Sequence, residues 1–242
     1  MVSGGQAPDF PGVLSVGGVA LHLLSADSSY LDRQFEPVGT STTAADLAPT
    51  EARLIVDHIA QAIAPHELLS AQLFFRAVFG FDLLPPHDLV DPHGLVTSRA
   101  VVSPNGRVRF PLNSASGSDT SPERFRSAVH GSGVQHIAFS TSSIADVLDT
   151  IDPGVVLSIP DNYYTDLEAR FGLTGDKLAF LRDNNVLYDV DDAGGEFLHV
   201  YTEEIHGVFF EFVERRNYSG FGAANAPVRL AAHARRMRRI SG

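Results

Sequence analysis

Cysteine is absent from all 242 residues. No disulfide can form and no thiolate can hold a metal, so any bound ion must be ligated by nitrogen and oxygen. No run of about 18 apolar residues occurs, which argues against a membrane-spanning helix. The opening MVSGGQAPDF lacks the basic and apolar regions of a secretory leader, and a cytoplasmic location is the expectation. Basic residues are few: 18 Lys and Arg stand against 29 Asp and Glu, a formal net charge of −11. That balance disfavours a phosphate backbone as partner, so no nucleic acid is expected. The one basic cluster, Arg235, Arg236, Arg238 and Arg239, suits the C-terminal end of a final helix. What remains is an ordinary globular composition, long enough for one large domain or two fused modules.

Residues 1–12 read as loose, Gly18–Leu24 as a short strand, Tyr30–Val38 as an irregular tail and Thr40–Thr50 as a linker. From Arg53 the pattern is regular. Leu54–Ile63 reads as a strand. His66–Phe79 has Leu69, Leu73, Phe74 and Val78 at helical spacing, with Gly80 as its stop. Leu95–Val102 and Arg107–Leu112 read as strands joined by a Pro-Asn-Gly turn, and DPHG at 91–94 as another turn. After a Ser/Gly-rich loop at 114–119 the order returns. Val134–Ser140 predicts a strand, Ser143–Ile151 a helix, Val155–Ile159 a strand, and Asp161–Phe171 an inserted helix capped by Asp161. Strands at Val186–Val190, Phe197–Thr202 and Val208–Val213 follow, the first two separated by a turn at 191–195. A helix from Asn225 to Arg239 closes the chain, with Pro227 in its first turn. The class is α+β: two tandem βαβββ modules with a C-terminal helix. Residues 1–50 form a loose N-terminal segment, 51–115 the first module and 116–242 the second.

Two segments nearly repeat, Val56-Asp57-His58-Ile59-Ala60 and Val134-Gln135-His136-Ile137-Ala138. Each sets one histidine in an apolar strand at a matched place, as two ligands of one ion would require. A lone histidine on such a strand is more often a core or edge residue, but a matched pair is harder to dismiss. Glu211 lies between Phe210 and Phe212 in GVFFEFVER. A carboxylate there needs a cation, an arginine or a metal, unless its strand lies at an exposed edge. Two imidazoles and a carboxylate with open positions suit non-haem Fe(II), and would also accept Mn, Co, Ni, Mg or Zn. His22, His66, His87, His93, His130, His206 and His233 have no matched context and read as non-catalytic.

GVQHIAFST, IPDNYYTDL, VFFEFVER and Gly220-Phe221-Gly222 together resemble the C-terminal half of the 4-hydroxyphenylpyruvate dioxygenases, members of the vicinal oxygen chelate superfamily. The resemblance runs from about Leu54 to Arg239. It implies the glyoxalase/bleomycin resistance/dioxygenase fold, with metal ligands at His58, His136 and Glu211. It also implies Fe(II)/O2 chemistry on a small 2-oxo acid. By the same resemblance Ser98 and Asn113 are polar pocket residues, and Phe221 and Asn225 lie in the segment covering the pocket. Tyr201 and Phe210 join them as substrate-binding candidates. Tyr163 and Tyr164 sit in a family-typical segment and read as packing of the inserted helix.

Two departures stand out. His199 replaces a glutamine of the family's LQIFT-like strand, and a second pocket glutamine is replaced near Ser121. His199 is left as a pocket acid/base, a replacement ligand or a surface residue. DLVDPHGLVTSRAV, FLHVYT and GAANAPVRLAA further resemble the dioxygenase-like C-terminal region of fused bacterial 3-dehydroshikimate dehydratases. There the dehydratase activity belongs to an N-terminal TIM barrel. Residues 18–38 resemble the last strand and tail of a preceding module, so the chain reads as a member that begins late. Three functions follow as expectations. One is a dioxygenase taking a small acidic substrate. Another is a metal-binding, non-oxidative accessory domain that associates with a separate barrel dehydratase. The third is a chain that folds without chemistry, its first strand free to pair in a homo-oligomer.

Overall fold

The computed structural model describes residues 11–24 and 54–240. Gly12–Leu14 (β1) and Ala20–His22 (β2) pair as an antiparallel hairpin, and Val16 and Leu21 rest on the core of the first half. The strand expected at Gly18–Leu24 thus finds its partner within the chain. The tail and linker expected at 30–50 lie outside the described residues.

The first half comprises Ile55–Ala62 (β3), Leu68–Phe79 (α1), Asp82–Leu83 (β4), His87–Asp91 (β5), Gly94–Val102 (β6) and Arg109–Ala115 (β7). Helix α1 ends at Gly80, whose φ of 68° is left-handed and costs glycine little. It buries Leu68, Ala71 and Phe75. Of the residues whose spacing predicts this helix, Phe74 packs against the core, whereas Leu69 and Leu73 are 70% and 65% exposed, and Val78 is exposed as well. Phe75, with Phe81 and Phe110 stacked around it, occupies the core side.

The second half comprises Ser121–Val129 (α2), Gly133–Thr141 (β8), Ile144–Leu148 (α3), Asp161–Phe171 (α4), Gly175–Asp183 (α5), Leu187–Val190 (β9), Glu196–Tyr201 (β10), Phe209–Arg216 (β11) and Ala226–Ile240 (α6). The strand expected at Val155–Ile159 is not formed. Pro153 opens a 3-10 turn over Pro153–Val155, held by Asp152 accepting from the Gly154 N–H at 2.8 Å, and only Val156 bridges to Thr202. Asp161 is the first residue of α4 rather than its cap. Pro160 holds the cap position in extended backbone, and the Asp161 carboxylate lies in the first turn, where the dipole favours it. Helices α2 and α5 were not expected: both are short, and charged residues interrupt their apolar periodicity.

One mixed sheet carries both halves, in the order β4-β6-β7-β3-β8-β11-β10-β9, with β5 also on β6. The sheet curls into a half-barrel accompanied, among the described residues, by six α-helices. Each half lays its last strand parallel to its own first, β7 beside β3 and β11 beside β8. The halves join where β3 and β8 run antiparallel. The larger core cluster, around Tyr164, Leu167, Leu181, Leu187, Val200 and Phe212, belongs to the second half. No helix among the described residues is long and apolar enough to cross a membrane.

Candidate metal centre

Strand register brings three distant residues together. His58 on β3 and Glu211 on β11 both pair with Ala138 of β8, one from each side. His136 precedes Ala138 by two residues and so projects from the same face. A methyl group at Ala138 leaves room for the flanking side chains to converge. His58 Nε2 lies 3.3 Å from His136 Nε2 and 3.2 Å from Glu211 Oε2, and His136 Nε2 lies 3.7 Å from the same oxygen. Donors about 2.1 Å from a common ion would lie roughly 3.0–3.5 Å apart, so the set fits a divalent cation held on one side. All three residues are buried.

Their electrostatics are uneven. Burial alone would depress His58, but the Asp57 hydrogen bond and the Glu211 carboxylate outweigh it and raise its pKa. Burial, then the neighbouring His58, pushes His136 well below the usual imidazole range. Burial would raise Glu211, yet hydrogen bonds from His199 and His58 hold it well below the usual carboxylate range.

A β-bulge orients the first ligand. The register slips between Val56 and His58, so Asp57 is the extra residue. Its carboxylate lies 2.8 Å from His58 Nδ1, which fixes that nitrogen as donor and turns the Nε2 lone pair to the centre. Asp57 is itself held by a two-pronged pair with Arg215, 2.8 and 2.9 Å, and by Arg109 at 3.2 Å. Burial disfavours the Asp57 charge, but Arg215 and His58 keep its pKa far below the ordinary value. His136 is placed by stacking, its ring 4.7 Å from that of Phe209.

Glu211 is oriented from behind. His199 Nδ1 lies 2.8 Å from Glu211 Oε1, and Asn225 Nδ2 lies 3.0 Å from His199 Nε2. Tyr163 donates to Asn225 Oδ1 at 3.0 Å. His199 has no exposed surface and is thus a positioning residue beside the ligand set. Gly222, at φ +62°, passes close behind it; a Cβ there would stand 2.7 Å from Phe197 Cε1 and 3.1 Å from His199 Cε1.

The triad opens into a cavity. Ser98 and Asn113, opposite each other on β6 and β7, line one wall with Leu84, His87 and Leu89. Tyr201, Phe221, Ala226 and Arg229 line the other. Phe221 meets the His58 ring edge-on at 5.3 Å. Phe210 does not line the cavity: it projects from the opposite face of β11 and packs against Phe139. Ser121 also stays outside, tied to Gln135 Nε2 at 3.0 Å and, through its N–H, to Asp91. Asn225 reaches the site only through His199. Three residues at or behind the site have no site role in the sequence reading: His87 reads as non-catalytic, Tyr163 as packing, and Arg229 is not singled out. His87 faces Ser98 across β5 and β6, a placement that alternation along the hairpin carries. Arg229 is a basic residue one turn after Ala226 on the apolar side of α6. Tyr163 is part of the chain behind Glu211.

No family model matches the chain. It is 42% identical over 239 residues to the 3-dehydroshikimate dehydratase of Pseudomonas aeruginosa, covering 96% of this chain and 37% of that protein. It is 30% identical over 226 residues to the 4-hydroxyphenylpyruvate dioxygenase of the same organism, covering 90% and 62%. A solved xylose isomerase-like TIM barrel/4-hydroxyphenylpyruvate dioxygenase fusion protein superposes with a TM-score of 0.70 at 35% identity, over 97% of this chain and 37% of that one. The chain is a dioxygenase-like domain of the vicinal oxygen chelate type. The α+β fold expected of the sequence is the fold observed. The chain spans little more than a third of the dehydratase and under two thirds of the dioxygenase. His58, His136 and Glu211 of this domain form a cluster able to take a metal ion.

Proposed function

We propose that this domain is the metal-binding, non-oxidative partner of a 3-dehydroshikimate dehydratase system, and that its cavity takes a small acidic compound. The observation that carries the reading is the position of His199. It stands where the resemblance to the dioxygenases places a substrate-holding glutamine, and it is sealed between Glu211 and Asn225. A cavity lacking the groups that hold one ligand discriminates strongly against that ligand. The 42% identity to a protein named a dehydratase supports the same direction. Dehydration itself would fall to a barrel of the kind that the solved fusion protein carries, not to this domain.

His58, His136 and Glu211 would hold the ion, with ferrous iron as the first choice. Bound there, a divalent ion supplies Lewis-acid polarisation and a template for chelating oxygens, and iron adds one-electron chemistry. Ser98 and Asn113 offer a hydroxyl and an amide to the ligand, while Leu84, Leu89 and Phe221 give the cavity apolar lining.

A second reading, oxidation of a 2-oxo acid with Fe(II) and O2, is favoured by one observation: the triad residues line the cavity, so an ion held by them would be open to a ligand there. An oxygen electrode separates the two. Protein reconstituted anaerobically with Fe(II) is expected to bind one ion, to lose it in His136→Ala, and to consume no oxygen with 4-hydroxyphenylpyruvate. Stoichiometric oxygen uptake would establish the second reading. Absence of metal binding would defeat both.

A further inference from the structure

We infer that Arg229 is the anion anchor of this cavity, pairing with a ligand carboxylate while the ligand's other oxygens face His58, His136 and Glu211. The inference deepens the small-acid reading above and rests on it.

Arg229 is 7% exposed and interacts by hydrogen bond with Tyr201, yet among the described residues no carboxylate lies within ion-pair distance of it, and its Nη1 has no hydrogen-bond partner. A guanidinium buried in that state is costly, and a partner supplied by a ligand removes the cost. The arginine lines the same cavity as the three triad residues. Its guanidinium carbon lies 5.5 Å from the Tyr201 ring centre and 5.2 Å from that of Phe209. Those rings hold the charge in place but leave N–H donors to spare. Ala226, one turn earlier on α6, lines the same cavity with no more than a methyl group. With a divalent ion bound, Glu211 alone cannot neutralise the cavity, so a ligand entering it gains by bringing negative charge. The planar fork of an arginine suits a carboxylate better than a point charge does. The ligand class that fits is a small carboxylate bearing two vicinal oxygens, chelating at one end and anionic at the other.

The probes are 3,4-dihydroxybenzoate and catechol, which share the chelating oxygens and differ in the carboxylate. Titrated calorimetrically into the Zn(II)-loaded chain, the benzoate is expected to bind about tenfold or more tighter than catechol. Arg229→Met is expected to abolish that difference while keeping metal stoichiometry and catechol affinity; Arg229→Lys is expected to retain part of it. Equal affinities in the native chain, or a preference that survives in Arg229→Met, overturn the inference. Should the chain bind no metal, the metal reading fails separately. Benzoate against benzamide then reads the anchor alone, with equal binding of the two as the refuting result.

Discussion

His199 and Glu211 share a hydrogen bond of 2.8 Å that decides what His199 is for. Asn225 donates to Nε2, so Nδ1 carries the proton and gives it to Glu211 Oε1. Oε2 is then left to face the two histidines. His199→Ala is expected to weaken metal binding by about 10- to 100-fold, because it frees the ligating carboxylate to rotate. It is also expected to cost about 1–3 kcal/mol of stability through the unsatisfied buried oxygen. His199→Gln, whose amide can donate to the same oxygen, is expected to recover much of the affinity. Metal titration and urea unfolding of the three proteins test this, and unchanged affinity in His199→Ala would defeat it.

Asp57 joins a metal ligand to the packing of the sheet. Its carboxylate meets His58 on one side and Arg215 and Arg109 on the other. Asp57→Asn removes the charge that both arginines answer. Arg215 is partly screened by solvent, so the expected loss is roughly 2–3 kcal/mol rather than that of a fully buried pair. Stability is read from the denaturation midpoint and the His58 pKa from its imidazole NMR titration. A variant as stable as the native chain, with an unmoved His58, would show that the bulge and not the charge sets the site.

How far the sequence carries this site depends on what made each residue visible. His58, His136 and Glu211 declare themselves because a duplicated strand motif and a carboxylate among phenylalanines are local patterns. The register that brings them together is not local: it rests on β3 meeting β8, and on Ala138 between them. His199 has an ordinary alternating strand around it, and its role depends on Asn225 arriving from another element. Arg229 carries no local mark because the lack of an acidic partner at its guanidinium is a property of the folded cavity. The exposed Leu69, Leu73 and Val78 of α1 show the same limit from the other side. Periodicity identifies the helix but not which face the sheet covers, and Phe75 captured that face.

Gly222 is expected to tolerate no side chain. Its backbone is left-handed, and an added Cβ would meet the Phe197 and His199 rings. Strain and overpacking together put Gly222→Ala at about 2–4 kcal/mol of lost stability. The displaced His199 should loosen Glu211, so metal affinity should fall alongside. Chemical denaturation with a parallel metal titration checks both, and a variant equal to the native chain in both respects would contradict the close packing behind the site.

On the acid side of the elevated His58 pKa, metal uptake is expected to release up to one proton, and the sign follows from the three ligands. At neutral pH His136 is already neutral, since burial depresses it, and Glu211 is already ionised. His58 alone is raised, and its protonated form has no lone pair for an ion. Apparent affinity should therefore fall about tenfold per pH unit on the acid side of the elevated His58 pKa and level off above it. The linkage to stability runs the other way in the metal-free protein. A raised folded-state pKa stabilises fully below the unfolded value, and that contribution is lost as pH climbs through the folded one. Alkaline conditions thus weaken the empty fold slightly while strengthening the loaded one, so the stabilisation gained on adding metal should grow with pH. Asp57→Asn removes one of the carboxylates that raise His58, and should move the affinity profile to lower pH. Calorimetry in two buffers of different ionisation enthalpy counts the proton. A count that does not rise toward one as the pH is lowered, or that approaches two, would mean that His58 and His136 do not differ in the way their surroundings require.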